Sequence, residues 1–132
     1  MINEINIKRF KSLEDVTLKL ERINVFVGTN NAGKSSILQA IQFATSIAQT
    51  AKAYYPSNNF SKNGKGSVTI APEQLIYSPL KNPYPLAHNE TLKESIEKCI
   101  YISFSDDTSG CMSIIEIRPF SRKYTAIKFS RL

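Results

Sequence analysis

The chemistry available to this sequence is concentrated in one run, Gly28-Thr29-Asn30-Asn31-Ala32-Gly33-Lys34-Ser35. It fits G-x-x-x-x-G-K-[ST], the spacing of a loop that cradles phosphates. Each fixed residue has a physical task there. Gly28 lets the chain leave a strand through a conformation that a side chain would obstruct, and Gly33 lets the backbone approach an anion closely. Asn30, Asn31 and Ala32 lend backbone N–H groups that converge on the same point, and asparagine at 31 tolerates left-handed backbone better than most residues with a Cβ. A helix opening near Lys34 adds its unpaired N–H groups and the positive end of its dipole. Lys34 is then the point charge for β- and γ-phosphates, the Ser35 hydroxyl a ligand for Mg²⁺, and Ser36 a second hydroxyl beside it. Ordinary residue frequencies put a chance match at four fixed positions over this length on the order of one in a hundred or less. The bland reading is a glycine-containing strand-to-helix turn with an exposed lysine.

Such a loop needs a strand before it and a helix after it. Ile23-Asn24-Val25-Phe26-Val27 is a β-branched, nearly continuous apolar run ending at Gly28, which predicts a central strand covered on both faces. From Ser35 to about Lys52 the period turns helical, with Ile37, Ile41, Ala44, Ala48 and Ala51 on one face, joined by Leu38, Ala40 and Ile47. Earlier in the chain, Ile5 and Ile7, then Val16, Leu18 and Leu20, alternate with polar residues as half-buried strands do, and the polar stretch Lys8 to Asp15 holds the turn between them. Ala53 to about Lys98 holds five of the six prolines, so regular structure is expected to be sparse. Ser67 to Ile70 is a short strand candidate there, and Thr91-Leu92-Lys93-Glu94 has the spacing of a capping box that would start a helix through Lys98. The last third predicts an antiparallel meander: Cys99 to Ser105, a turn at Asp106 to Gly110, Met112 to Arg118, and Tyr124 to Ser130. The final strand reads as an uncovered edge, and an unfinished domain is the expectation.

At 132 residues the chain is one domain or part of one, and no apolar run approaches the roughly 18 residues of a membrane span. The N-terminus lacks the apolar segment of a secretory signal, so the cytoplasm is the expected compartment, with no membrane partner. The net charge of +6 is unevenly spread. Arg118, Arg122, Lys123, Lys128 and Arg131 have no acidic neighbours after residue 117, and the rest of the chain is close to neutral. Two cysteines and one histidine make a zinc site within the chain unexpected. A turn near Asp107 and Thr108 would set Cys111 opposite Phe104, which argues against a Cys99–Cys111 bridge.

Residues 2–44 resemble the N-terminal segment of the SMC/RecF/OLD group of ABC-type ATPases, within the AAA family ATPases. The shared features are a strand, the aromatic-Lys-Ser turn Phe10-Lys11-Ser12, a second strand, then strand, phosphate loop and helix. Asn30-Asn31 before Ala-Gly-Lys-Ser-Ser is more similar to the OLD-like branch than to branches with Asn-Gly there. The resemblance implies an α/β fold, an α+β lobe with a mixed sheet, the phosphate-loop helix and an antiparallel meander. It implies ATP and Mg²⁺ as ligands, bound between two heads that dimerise and separate. Lys11 and Ser12 are placed near the nucleotide by the same resemblance. DNA and a downstream effector or nuclease are the partners it implies, in DNA repair or anti-phage defence. The chain has no hydrophobic strand ending in Asp-Glu, no LSGG-like signature and no later switch histidine, so turnover of ATP to ADP and phosphate is expected only in a complete head, and the catalytic residues stay unknown.

Other candidates each have a plainer reading. Asp106 and Asp107 are the only adjacent acids after the loop, yet they lie in turn chemistry. His88 could shuttle a proton or be a solvated loop residue. Gln74 could sense a γ-phosphate or end a strand. Tyr54, Tyr55, Tyr77 and Tyr84 could stack on bases or pack the insert onto the sheet. The basic end could contact phosphate backbones or protect an edge strand. The expected organisation is one lobe of a phosphate-loop ATPase over 1–132: strands, loop and helix in 1–52, a proline-rich insert in 53–98, and the meander in 99–132. The alternative is a nucleic-acid-binding or protein-interaction module that keeps the loop without turnover.

Overall fold

Alternation of apolar and polar residues in the first twenty positions builds a hairpin whose inner face is isoleucine and whose outer face is charged. In the computed structural model, which describes residues 2–29, 33–54, 66–77, 99–107, 110–119 and 125–131, β1 is Glu4–Phe10 and β2 is Leu13–Lys19. The helix α1 is Lys34–Tyr54, and β3 is Gly66–Ile70, followed by a single 3₁₀ turn at Pro72–Gln74. The chain then forms β4 (Ile100–Asp106), β5 (Gly110–Pro119) and β6 (Thr125–Arg131). One six-stranded sheet results, in the order β2-β1-β4-β5-β6-β3. Every pairing is antiparallel.

The register explains why this sheet has one dry face and one wet face. Val16, Ile7, Ile102, Ile115, Phe129 and Val68 lie directly opposite one another across all six strands. Ile100, Ile117, Ile127 and Ile70 make a parallel row on the same face, each fully buried. Because side chains alternate faces, the residues between those rows form a polar row. It runs Asp15, Lys8, Tyr101, Glu116, Lys128, Thr69. Within that row Lys8 Nζ stands 4.0 Å from Asp15 Oδ2 and 5.5 Å from the centre of the Tyr101 ring. Cross-strand pairs of this kind each contribute about 0.2–1 kcal/mol. They keep the outer face solvated.

The helix covers the dry face. Ala40, Phe43, Ala44, Ile47 and Ala51 are buried against the isoleucine rows, at the i, i+3, i+4, i+7 spacing of one helical stripe. The three alanines let the helix sit close to the sheet, and Phe43 meets Phe10 with ring centres 6.3 Å apart. The stripe is rotated from the one the periodicity predicts: Phe43 is its centre, Ile37, Ile41 and Ala48 are at its margins, and Leu38 is 52% exposed. A large aromatic ring fills the space over Phe10 that no aliphatic residue nearby would fill.

Four other expectations are corrected. The first concerns Ile23 to Val27, expected as the central strand of a mixed sheet. This stretch forms no strand, and Ile23, Val25 and Val27 are 84%, 79% and 89% exposed. The chain leaves the sheet at Leu20, whose N–H donates to the Asn3 carbonyl, and the Asn24 amide then bonds both backbone groups of Glu21. Such local side-chain bonds compete with a ladder. The second concerns the extent of the strands: the turn lies within Lys8 to Asp15 as expected, but β1 and β2 run further into that stretch than the alternation indicates. Only Lys11 and Ser12 turn; the charged residues around them are the wet face of two strands. Third, β6 is not an edge, because β3 pairs along its far side from Gly66↔Arg131 to Ile70↔Ile127. The basic residue Lys128 therefore faces Glu116 from the sheet interior. Fourth, a register shift between Phe104 and Ser105 sets Cys111 opposite Ser105 rather than Phe104. Cys99 is a buried thiol just before β4, at the other end of the hairpin, and takes no part in a disulfide. The capping-box helix expected after Thr91 lies outside the described residues.

Candidate functional site

The junction between the loop and α1 is held by backbone geometry first. Gly33 has φ +90°, a left-handed conformation that residues with a Cβ rarely adopt. A Cβ built there would lie 3.1 Å from Leu13 Cδ2 and 3.7 Å from Ser12 Oγ. Glycine is thus required by the torsion, and a Cβ would also crowd the end of the Leu13 side chain. Gly28 is an exposed bend, and the positive-φ glycines among the described residues are Gly33, Gly66 and Gly110. The residues described just before Gly28, 21–27, form no strand for it to leave, in contrast to the strand exit expected of it.

From Gly33 the helix starts at once. The Ile37 N–H donates to the Gly33 carbonyl at 3.0 Å, which closes the first turn and leaves the N–H groups ahead of it pointing out of the helix end. No acidic residue lies in that first turn. No carboxylate of the helix's own first turn therefore offsets the positive end of its dipole. Lys34 folds back across the loop, its Nζ donating to the Gly28 carbonyl. Ser35 is exposed; Ser36 is half-buried and its hydroxyl lies 3.1 Å from the Ser12 hydroxyl. Asn30, Asn31 and Ala32 lie outside the described residues.

The structure brings the β1–β2 turn to this junction. Lys11 Nζ donates to Gln39 Oε1, one turn of helix beyond Ser36. Gln39 and Leu13 belong to the site's surroundings and escaped sequence reasoning, because their roles depend on strand register rather than on any local pattern. The spacing of Gly33, Ser36 and Gln39 at every third residue is the one signal that could have pointed to a common side of α1.

The remaining candidates lie elsewhere. Asp106 and Asp107 line a shallow cleft with Asn3, Glu4, Lys19, Leu20 and Glu21. That cleft is at the start of β1, and Gly33 is at its far end, roughly 20 Å along a strand of this length. Asp106 ends β4 opposite Gly110, and Asp107 opens the turn that follows. Gln74 is used locally, its Oε1 accepting the Ala71 N–H at 3.0 Å. Tyr77 lends its backbone N–H to the buried Ser46 hydroxyl at 2.8 Å, which ties the 3₁₀ segment to α1. His88, Tyr55, Tyr84, Arg122 and Lys123 lie outside the described residues. No group of histidine, cysteine and carboxylate side chains among the described residues could hold a metal ion, and no described helix is long and apolar enough to cross a membrane.

A family model described as an AAA ATPase domain matches residues 1–127. Over 72 residues the chain is 41% identical to a DNA double-strand break repair Rad50 ATPase of Sulfolobus acidocaldarius, covering 54% of this chain and 8% of that protein. Over 71 residues it is 30% identical to a DNA replication and repair protein RecF of Acinetobacter baylyi, covering 53% of this chain and 20% of that protein. The chain thus spans a fifth or less of the length of either relative. With a match over nearly its whole length, the chain belongs to the AAA ATPase domain family, and its resemblance to the SMC/RecF group is borne out by the Rad50 and RecF relatives.

Proposed function

We propose that residues 28–36 bind the phosphates of ATP with Mg²⁺, and that the 132 residues act as one lobe of an ABC-type ATPase head of the SMC/RecF/OLD kind. The observation that carries this reading is the junction itself: the G-x-x-x-x-G-K-S run ends on a left-handed Gly33 at the first turn of a helix that has no acidic residue there. That donor set suits a polyphosphate. Backbone N–H groups from Asn30 to Ser36 would hold the anion, Lys34 would exchange the Gly28 carbonyl for phosphate oxygens, and Ser36 would add a hydroxyl. The Ser35 hydroxyl, exposed in the first turn of α1, would hold Mg²⁺. The metal supplies neutralisation of charge on the β- and γ-phosphates. Lys11 and Ser12, which touch α1 at Gln39 and Ser36, are adjacent to the same anion site.

Hydrolysis needs a carboxylate beside the metal and a residue that orients water. Asp106 and Asp107 are at the wrong end of β1 for that, so we infer that turnover uses residues outside these 132, with two heads meeting across bound ATP. The Rad50 and RecF relatives are named for DNA break repair and for DNA replication and repair. Work on DNA, in repair or in defence against foreign DNA with a downstream effector, is the cellular role that fits. The test is titration of a fluorescent ATP analogue with Mg²⁺ against the chain and against Lys34→Ala. The variant is expected to lose at least tenfold in affinity, the loss of one charged hydrogen-bonding partner. Equal affinity for the two proteins would sink the proposal.

A further inference from the structure

Three consecutive residues of the β1–β2 turn meet three residues spaced by three along the loop end and helix. Leu13 Cδ2 lies 3.1 Å from where a Cβ of Gly33 would be, Ser12 Oγ lies 3.1 Å from Ser36 Oγ, and Lys11 Nζ donates to Gln39 Oε1. The turn that makes these contacts is strained: Arg9 has φ 58° and Lys11 has φ 51°, and neither is glycine. Left-handed backbone at residues with a Cβ persists only where the surroundings over-determine it. Here they do so from both sides. Arg9 Nε donates to the Cys99 carbonyl at the start of β4, and Lys11 reaches the helix in the opposite direction.

We propose that this turn is a clasp that positions the loop–helix junction, with Lys11, Ser12 and Leu13 as positioning residues for phosphate binding. The inference rests on the reading of residues 28–36 as an ATP phosphate site and adds to it what sets the direction of the donors. Those donors are backbone N–H groups of the first turn of α1, and their aim is fixed by the rotation of that turn relative to the sheet. Only contacts from the sheet can fix it. The clasp supplies three, each at a different height on the helix, which resists both rotation and sliding. A turn that merely connected two strands would have no use for a strained lysine at a position where glycine fits without cost.

Lys11→Gly separates positioning from stability, because it relieves the left-handed strain while removing the bond to Gln39. Three measurements are made on this chain: thermal unfolding, amide hydrogen exchange at Ile37 against Ile47 in the middle of α1, and affinity for a fluorescent ATP analogue with Mg²⁺. The clasp predicts an unchanged or higher Tm, faster exchange at Ile37 alone, and an affinity lower by roughly five- to tenfold. Gln39→Leu is expected to reproduce the faster exchange and the weaker binding, and the double variant to be no worse than either single one, since both break the same contact. Lys11→Arg restores a donor to Gln39 and is expected to restore both readouts. Unchanged exchange at Ile37 in Lys11→Gly and Gln39→Leu overturns the clasp. So does faster exchange with unchanged affinity, which would make the contacts structural only. In either case a loss of binding in Lys34→Ala leaves the phosphate-site reading standing. If Lys34→Ala binds the analogue as tightly as the natural chain, that reading fails and the positioning role fails with it.

Discussion

Replacing Gly33 by alanine perturbs the loop–helix junction in two separable ways. The backbone at φ +90° costs a residue with a Cβ roughly 1–2 kcal/mol. The new methyl would also stand 3.1 Å from Leu13 Cδ2, inside the 3.5–4.0 Å of ordinary carbon contact, and Leu13 is buried at 5% exposure. Shifting the end of one side chain is the mild form of overpacking and adds about 1 kcal/mol. Together Gly33→Ala is expected to cost about 2–3 kcal/mol, a fall in Tm of roughly 8–12 °C for a chain of this length. Gly110→Ala provides the internal control, because its φ is +67° but nothing lies within 4 Å of the built Cβ. It should show the backbone cost alone, about 1 kcal/mol. Urea unfolding followed by circular dichroism measures both, and Leu13→Ala in the Gly33→Ala background should recover about 1 kcal/mol relative to simple addition. Equal costs for the two glycines would refute the close approach of β2 to Gly33. Costs near zero for both would refute the left-handed backbone itself.

Two further outcomes test the register and the corrected strand. Ile115 and Ile114 are neighbours on opposite faces of β5, so Ile115→Ala should cost about 2–5 kcal/mol and Ile114→Ala under about 1 kcal/mol in the same urea assay. A reversed order would mean that the sheet is shifted by one residue. Val25→Lys places a charge at a position 79% exposed, and it should leave stability within about 0.5 kcal/mol. A loss of several kcal/mol would mean that the segment is buried after all.

Periodicity made most of the sheet legible, because a strand with one wet face writes its burial pattern into every second residue. Ile5 and Ile7, and Ile127 and Phe129, are readable in that way and are buried. Where the pattern misled, the missing information was tertiary. Ile23, Val25 and Val27 have the residue types of a central strand, but strand formation requires a neighbour, and no such neighbour is provided among the described residues. The turn lies within the polar stretch Lys8 to Asp15, but the strands reach further into it than the alternation indicates, because its charges mark the outer face of a sheet. The actual turn is at Lys11, whose positive φ no lysine advertises. In the site, the motif was legible because backbone geometry demands glycine at 33. The contact of Lys11 with Gln39 was not, since it arises only when the hairpin and helix are docked.

The pairing of β1 with β4 sets a timetable for making this protein. Glu4 pairs with Ser105 and Ile7 with Ile102, so one neighbour of β1 is made within a few residues and the other about a hundred residues later. At synthesis rates of about 5–20 residues per second, the first hairpin waits roughly 5–20 s, and α1 about half as long, for the strand that completes their core. A two-stranded ribbon is marginal in water, and the face carrying Ile5, Ile7 and Phe10 is open throughout that interval. The nascent chain thus has its nucleotide-loop elements outside the ribosome long before the sheet beneath them exists. Its yield in the cell depends on what shields that face in the meantime.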